Sequence, residues 1–152
     1  MDALDRKIVS HLAVDSSASI GDLSEVLDVP SSTLHQRIKK LESKGVITGY
    51  RAMVNQREAG LTLHALVSLT PIDPARPDDV PELITPIAEI ESCWSVAGTE
   101  SYIVKVAVTE PGELEALLAR IRAIANVSTR TSVILSTPFE GRQATIPEDG
   151  NQ

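Results

Sequence analysis

The chain has 152 residues, room for one ordinary domain or two very small ones, and its 42% hydrophobic and 23% charged residues exclude bulk disorder. No apolar run approaches the roughly 18–20 residues that cross a bilayer, the opening Met1-Asp2-Ala3-Leu4-Asp5 lacks the basic start of a secretory signal, and the lone Cys93 excludes an internal disulfide or a cysteine-built zinc site. A net charge of −7 argues against simple electrostatic binding of a polyanion. A cytoplasmic protein with no membrane partner is expected. With only 3% aromatic residues the core must be Leu, Ile, Val and Ala, and so small a core favours oligomerisation.

Residues 2–13 read as a helix capped by Asp2, with Leu4, Ile8, Val9 and Leu12 on one face. After the polar break Asp15–Ala18, Ser19 caps a short second helix with Ile20, Leu23, Val26 and Leu27 inward, and Asp22 completes an acidic variant of the capping box. Asp28-Val29-Pro30 ends it, because Pro30 disfavours helical geometry at Val29. Ser31 or Ser32 is expected to cap a third helix that runs to about Lys44 and closes at Gly45. Its apolar stripe is Leu34, Ile38 and Leu41; Ser32, Gln36, Lys39 and Lys40 point away from it, with Thr33, His35 and Arg37 on the flanks. Residues 46–54 then suggest two short strands bent at Gly49.

Three helices followed by a β-hairpin predict a winged helix-turn-helix over residues 1–54. Charge supports a ligand for it. Residues 1–54 hold seven bases and seven acids, whereas the rest of the chain holds seven bases and fourteen acids; within 31–54 there are five bases to one acid. A polar helix with cations toward its end suits duplex DNA: Ser32, His35 and Gln36 are candidates for base edges, Arg37, Lys39 and Lys40 for phosphates, with Ser31 and Thr33 completing the face. The alternative is a trihelical bundle whose charged face is merely solvated.

Residues 55–62 read as a linker. Residues 63–137 then give strand, helix, strand, strand, helix, strand. His64–Leu69 is extended and the Pro71–Pro77 stretch breaks it. A helix from Asp78 or Asp79 to about Ala88 buries Val80, Leu83, Ile84 and Ile87. Cys93–Val96 and Tyr102–Val108 are strands joined around Gly98, Glu113–Ala125 is a helix, and Val127–Leu135 is the last strand. The order predicts an α+β, ferredoxin-like βαββαβ domain whose helices cover one sheet face. Neither face of Tyr102–Val108 is strongly polar, so the second sheet face is expected to pair two copies sheet on sheet. Residues 138–152 read as a loose tail.

The residues Leu4-Asp5, Ile8, Leu12, Leu23, Thr33-Leu34, Arg37-Ile38-Lys39-Lys40-Leu41-Glu42, Gly45-Val46-Ile47 and Gly49-Tyr50 resemble the signature of the Lrp/AsnC, or feast/famine, transcriptional regulators. Val96-Ala97-Gly98 followed by Tyr102-Ile103-Val104-Lys105-Val106 is similar to that family's effector-loop motif, and Thr131–Leu135 to its last strand. The likeness covers residues 2–137. It implies a DNA-binding domain followed by an effector-binding (RAM) domain, dimers assembling to octamers or other rings, and an amino acid as effector with no other cofactor. It places the effector at Val96, Ala97, Gly98, Thr99, Glu100, Ser101 and Tyr102, with Thr131 nearby.

Four positions depart from the family pattern: Asp28 stands for the usual turn Gly, Pro30 for the Ser opening the third helix, Ser17 for an Arg, and Ser101 for the acid before the loop tyrosine. That acid would pair with an α-ammonium group; here Glu100 stands one position earlier. An effector-independent protein that wraps DNA is the alternative function. A haem-pathway decarboxylase, similar in both domains, would need basic groups around a tetrapyrrole that this acidic C-terminal part lacks. Catalytic and metal sites are not expected: His11, His35 and His64 lie on separate elements, and Cys93 and Trp94 are expected to pack in the sheet.

Overall fold

The computed structural model describes residues 1–75 and 78–142. Two compact units, one built on Met1–Met53 and the other on Val54–Pro138, each enclose their own apolar core.

The first unit is α1 (Ala3–Val14), α2 (Ile20–Leu27) and α3 (Ser31–Ser43). Asp2 and Asp5 form a reciprocal capping box on α1: the Asp5 N–H donates to Asp2 at 2.9 Å and the Asp2 N–H donates to Asp5 at 3.2 Å. Ser19 and Asp22 do the same for α2, as the sequence predicts. Both boxes satisfy N–H groups that a first helical turn leaves without partners, and set negative charge at the positive end of the helix dipole. α2 closes on Asp28 in the left-handed region (φ 52°, ψ 50°), so Asp28 performs the turn that the family gives to Gly. Ile8, Leu12, Leu23, Leu34 and Leu41 are the core, ringed by Leu4, Val9, Ile38 and Ile47.

Two expectations need correction here. The cap of α3 is Pro30, with no side-chain cap bond, and not Ser31 or Ser32. The ring fixes Pro30 at φ −54°, already close to helical, and its carbonyl accepts the Thr33 and Leu34 N–H groups at 2.9 and 3.1 Å. Both serines are thereby carried into the exposed first turn. Residues 46–54 form no strand. The Val46 and Ile47 N–H groups are spent on the Leu41 carbonyl at 2.9 and 3.2 Å, closing α3 at Gly45 (φ +68°). Val46, Tyr50, Met53 and Val54 are all exposed, so a hairpin of this segment would bury too little to hold.

The second unit is β1 (Leu63–Pro71), α4 (Val80–Ile84), β2 (Ile90–Ser95), β3 (Tyr102–Val108), α5 (Pro111–Ala125) and β4 (Val127–Val133). The sheet order is β2-β3-β1-β4 with every neighbour antiparallel, the expected ferredoxin-like arrangement. Ala65, Val67 and Leu69 of β1 and Tyr102, Val104, Val106 and Val108 of β3 meet Leu114, Leu117 and Ile121 of α5 and Val80 and Ile84 of α4 in the core. α4 stops four residues short of the predicted Ala88, because Pro86 has no N–H to continue it; Ile87 is buried all the same. β4 ends at Val133, and Leu135 beyond it is exposed.

The linker residues 55–62 are a hydrogen-bonded turn: the Ala59, Gly60 and Leu61 N–H groups reach back to Asn55, Arg57 and Gln56 carbonyls. The Gln56 side-chain amide donates to Glu91 on β2, which ties the turn to the sheet edge. Residues 138–142 of the expected tail have no regular structure, and 143–152 lie outside the described residues, as do 76 and 77.

Candidate nucleic-acid interface and effector loop

The polar face of α3 stands as its periodicity requires. Ser31, Ser32, His35, Gln36, Lys39 and Lys40 are exposed, Thr33 and Arg37 are half-buried at the flanks, and Leu34 and Leu41 are buried. Its entry is fixed by the Asp28 turn and by the Ser24 hydroxyl, which donates to the Val29 carbonyl at 2.7 Å. Its exit is held by the Tyr50 hydroxyl, which donates to Glu42 at 2.9 Å. Lys39 and Lys40 are its outward cations. His35 and Lys39 also border a shallow, largely apolar cleft of about 300 Å³ floored by Leu12, Ile20, Leu23 and Ile38.

Arg37 has a different setting from its neighbours. Its guanidinium bridges Asp2 and Asp5, the Asp5 contact being 2.9 Å, and so rivets α3 to the N-terminus of α1. The Arg37 charge holds the Asp2 carboxyl below its ordinary range, and the two carboxylates raise Arg37 in turn. Asp5, itself buried, thus has its charge matched. Sequence reasoning missed this because the partners are 35 and 32 residues away. The signal present was an acidic first turn, Asp2 and Asp5, with no base three or four residues after Asp5 on its own helix.

The loop between β2 and β3 is closed by the Val96 N–H donating to the Ser101 carbonyl at 3.0 Å, and the Ser101 N–H extends the sheet by donating to Leu69 at 3.1 Å. Ala97, Gly98 and Thr99 are exposed at its tip. Gly98 has an ordinary backbone and nothing within 4 Å of where a Cβ would lie, so the chain itself does not demand glycine there. Glu100 turns onto the sheet face that the helices leave open. It accepts from the Ser68 hydroxyl at 3.2 Å and faces Arg130 at 3.5 Å.

Two residues expected at this loop point elsewhere. Tyr102 is buried on the helix-covered face with its hydroxyl donating to Asp78 at 2.6 Å, a bond that with burial pushes it up to about 12. Thr131 lies opposite Val67, which is fully buried under the helices, so it shares that covered face. Strand alternation instead puts its neighbour Arg130 on the open face, opposite Ser68. Cys93 and Trp94 are corrected too: both are exposed, Trp94 by 48%, because β2 is an edge strand with one neighbour. His64 Nε2–H donates to the Leu61 carbonyl at 3.0 Å, His11 and His35 are exposed on α1 and α3, and among the described residues no His, Cys, Asp and Glu grouping could hold a metal.

Residues 1–48 match the winged helix-turn-helix DNA-binding family, and residues 62–144 match the Lrp/AsnC ligand binding domain. The chain is 44% identical over 143 residues to the HTH-type transcriptional regulator LrpA of Mycobacterium tuberculosis, covering 94% of this chain and 95% of that protein. It is 32% identical over 140 residues to the leucine-responsive regulatory protein of Haemophilus influenzae, covering 89% and 84%. Among solved structures it superposes on the leucine response regulatory protein of M. tuberculosis with a TM-score of 0.86 at 43% identity, over 95% of this chain and 99% of that one. On the feast or famine regulatory protein of M. tuberculosis complexed with L-methionine the TM-score is 0.92 at 44% identity, over 94% and 97%. With both domains matched in order and nearly the full length shared, the chain belongs to the Lrp/AsnC family of DNA-binding transcriptional regulators.

Proposed function

We propose that this regulator reads specific duplex sites with α3 and adjusts its assembly to an amino acid held at the loop of residues 96–101. The observation that carries the DNA reading is the exposed face of α3, where Ser32, His35 and Gln36 precede Lys39 and Lys40 on one side of a helix fixed at both ends. Side chains near the start of such a helix reach base edges in the major groove while cations farther along hold phosphates. Arg37 supports this face by fixing α3 to α1 and adds its remaining N–H groups to the phosphate side.

The amino-acid reading rests on the ligand-binding domain match, on the L-methionine complex of a relative, and on the Glu100 carboxylate half-buried beside the loop. Two copies pair through the open sheet face, where Leu66, Trp94 and Ile103 present apolar surface, and dimers assemble further toward octamers. An amino acid bound at the loop then shifts the balance between assemblies whose DNA geometries differ. Such a protein works in the cytoplasm with the chromosome and catalyses no reaction. A second reading, an effector-independent DNA-wrapping protein, is favoured by Ser101 standing where the family carries an acid.

Fluorescence anisotropy of the full chain tests the DNA reading, using the duplex upstream of its own gene and a scrambled control at two salt concentrations. Preferential binding that weakens with salt is expected. Equal or absent binding to both duplexes at low salt contradicts it.

A further inference from the structure

We infer that Glu91 is a positioning residue for DNA binding: it holds the linker on the sheet, confines the joint between the two units to residues 51–54, and so sets which spacing of half-sites a dimer accepts. The inference rests on the DNA reading above and on the pairing of two copies, each of which brings one helical unit to one half-site.

The anchors on either side of the joint are close in sequence. Tyr50 is tied to the helical unit, its hydroxyl donating to Glu42 at 2.9 Å. From Asn55 onward the chain is tied to the sheet unit. The Asn55 side chain accepts the Glu58 N–H at 3.3 Å, the Gln56 amide donates to Glu91, and the Thr62 hydroxyl donates to the Thr109 carbonyl at 2.5 Å. Between these anchors Arg51, Ala52, Met53 and Val54 make no hydrogen bond among the described residues, and the division between the two units falls at Met53 and Val54.

Glu91 reaches the linker from a β-bulge. Ile90 pairs with Val106 and Ser92 with Lys105, so Glu91 is one residue more than β3 matches. A bulge re-aims a side chain without ending the strand. The Glu91 carboxylate meets Lys105 at 3.3 Å as well as Gln56, and both partners of the ion pair are largely sheltered, at 22% and 15% exposure. Salt screens such a pair less than one in open solvent.

The length of the joint turns this fastening into selectivity. Four residues reach at most roughly 13–14 Å. Shifting one half-site by half a helical turn carries it roughly 17–18 Å along the duplex and onto its opposite side, more than one such joint can supply. With Gln56 released, the joint would extend over residues 51–61 and reach roughly 36–40 Å, which covers the shift. A second contact is lost entirely when the connection cannot span the two sites, and a longer connection restores it.

Fluorescence anisotropy of the full chain tests this. The half-site is mapped by single-base variants of the duplex upstream of its own gene, then placed once, or twice with centres one, one and a half or two helical turns apart. Wild type is expected to favour whole-turn spacing by about tenfold or more. Glu91→Ala and Gln56→Ala should bind the single half-site as wild type does, while their preference for whole turns falls toward none. Glu91→Gln, whose side-chain carbonyl still accepts from Gln56, should recover most of it. Circular dichroism melts accompany each variant, and if Glu91→Ala melts early because Lys105 loses that carboxylate, Gln56→Ala decides. A whole-turn preference that Gln56→Ala leaves intact overturns the inference, as does wild type that binds the half-site but ignores spacing; in both cases the DNA reading stands. Wild type that binds no duplex better than a scrambled control overturns the DNA reading itself and the inference with it.

Discussion

The two units are built to different margins. The helical unit closes on five buried apolar side chains and compensates with polar fastenings: two capping boxes, the Arg37 bridge to Asp2 and Asp5, and the Tyr50 bond to Glu42. The sheet unit closes on fifteen buried residues, most of them branched aliphatics from strand alternation and from α5, and can leave a whole sheet face to other uses. Charge divides in the same way: the helical unit is neutral overall and concentrates its cations on α3, while the excess of acid lies in the remainder of the chain. A small core needs polar links to hold its helices in place; a large core holds together with one sheet face left uncovered by helices.

The sharpest way to break this contrast is through the cores. Leu34→Ala is expected to cost about 2–5 kcal/mol, a large share of what so small a unit can have. In denaturant titrations followed by circular dichroism, that variant should show an early loss of helix with the sheet unit's transition in place. One transition moving as a whole would mean that the units do not unfold separately. Arg37→Ala comes next, because it leaves Asp5 charged and buried. Since Arg37 holds Asp2 below its ordinary 3.8, the stabilisation is present above that pH and is lost as pH falls through the lowered value. Melting temperatures of wild type and Arg37→Ala should therefore differ at pH 7 and converge in acid.

On the DNA face the effects are smaller and differ in kind. Gln36→Ala should cost about 1–3 kcal/mol of discrimination at one base pair. Lys39→Ala should weaken all sequences alike and reduce the salt slope by about one; anisotropy against a panel of single-base variants separates the two. In the sheet unit, Tyr102→Phe loses the bond to Asp78 and about 1 kcal/mol. Tyr102 keeps its proton to about 12 in the folded protein, while an unfolded tyrosine releases it near 10. Wild type should accordingly lose stability between those values, and the variant should lose less. Gly98→Ala should change the melt by under about 0.5 kcal/mol, because no atom of the chain lies where its methyl would go. Any effect it has on amino-acid response or assembly then reports contacts outside the single chain.

The elements were legible in the sequence wherever burial imposed a period. α1, α2, β3 and α5 follow from the spacing of Leu4, Ile8 and Leu12, of Leu23 and Leu27, of the alternation from Tyr102 to Val108, and of Leu114, Leu117 and Ile121. Local chemistry that competes with the period misled: Pro30 displaced the cap of α3, Pro86 shortened α4, and the Leu41 carbonyl consumed the donors that a hairpin at Val46 and Ile47 needed. The exposed face of α3 was readable from its own sequence. The pairings of Arg37 with Asp2 and of Glu100 with Ser68 and Arg130 were not, because no periodicity relates residues some 30 positions apart. Strand register, which no family likeness supplies, puts Thr131 opposite the buried Val67 and Arg130 opposite Ser68.

The most direct test of the whole account is the DNA affinity of the full chain with and without a pool of amino acids, measured by anisotropy on the duplex upstream of its own gene. The expected result is preferential binding that shifts when the pool is added. Preferential binding that the pool leaves unchanged would contradict the coupling of loop to helix and favour the effector-independent reading.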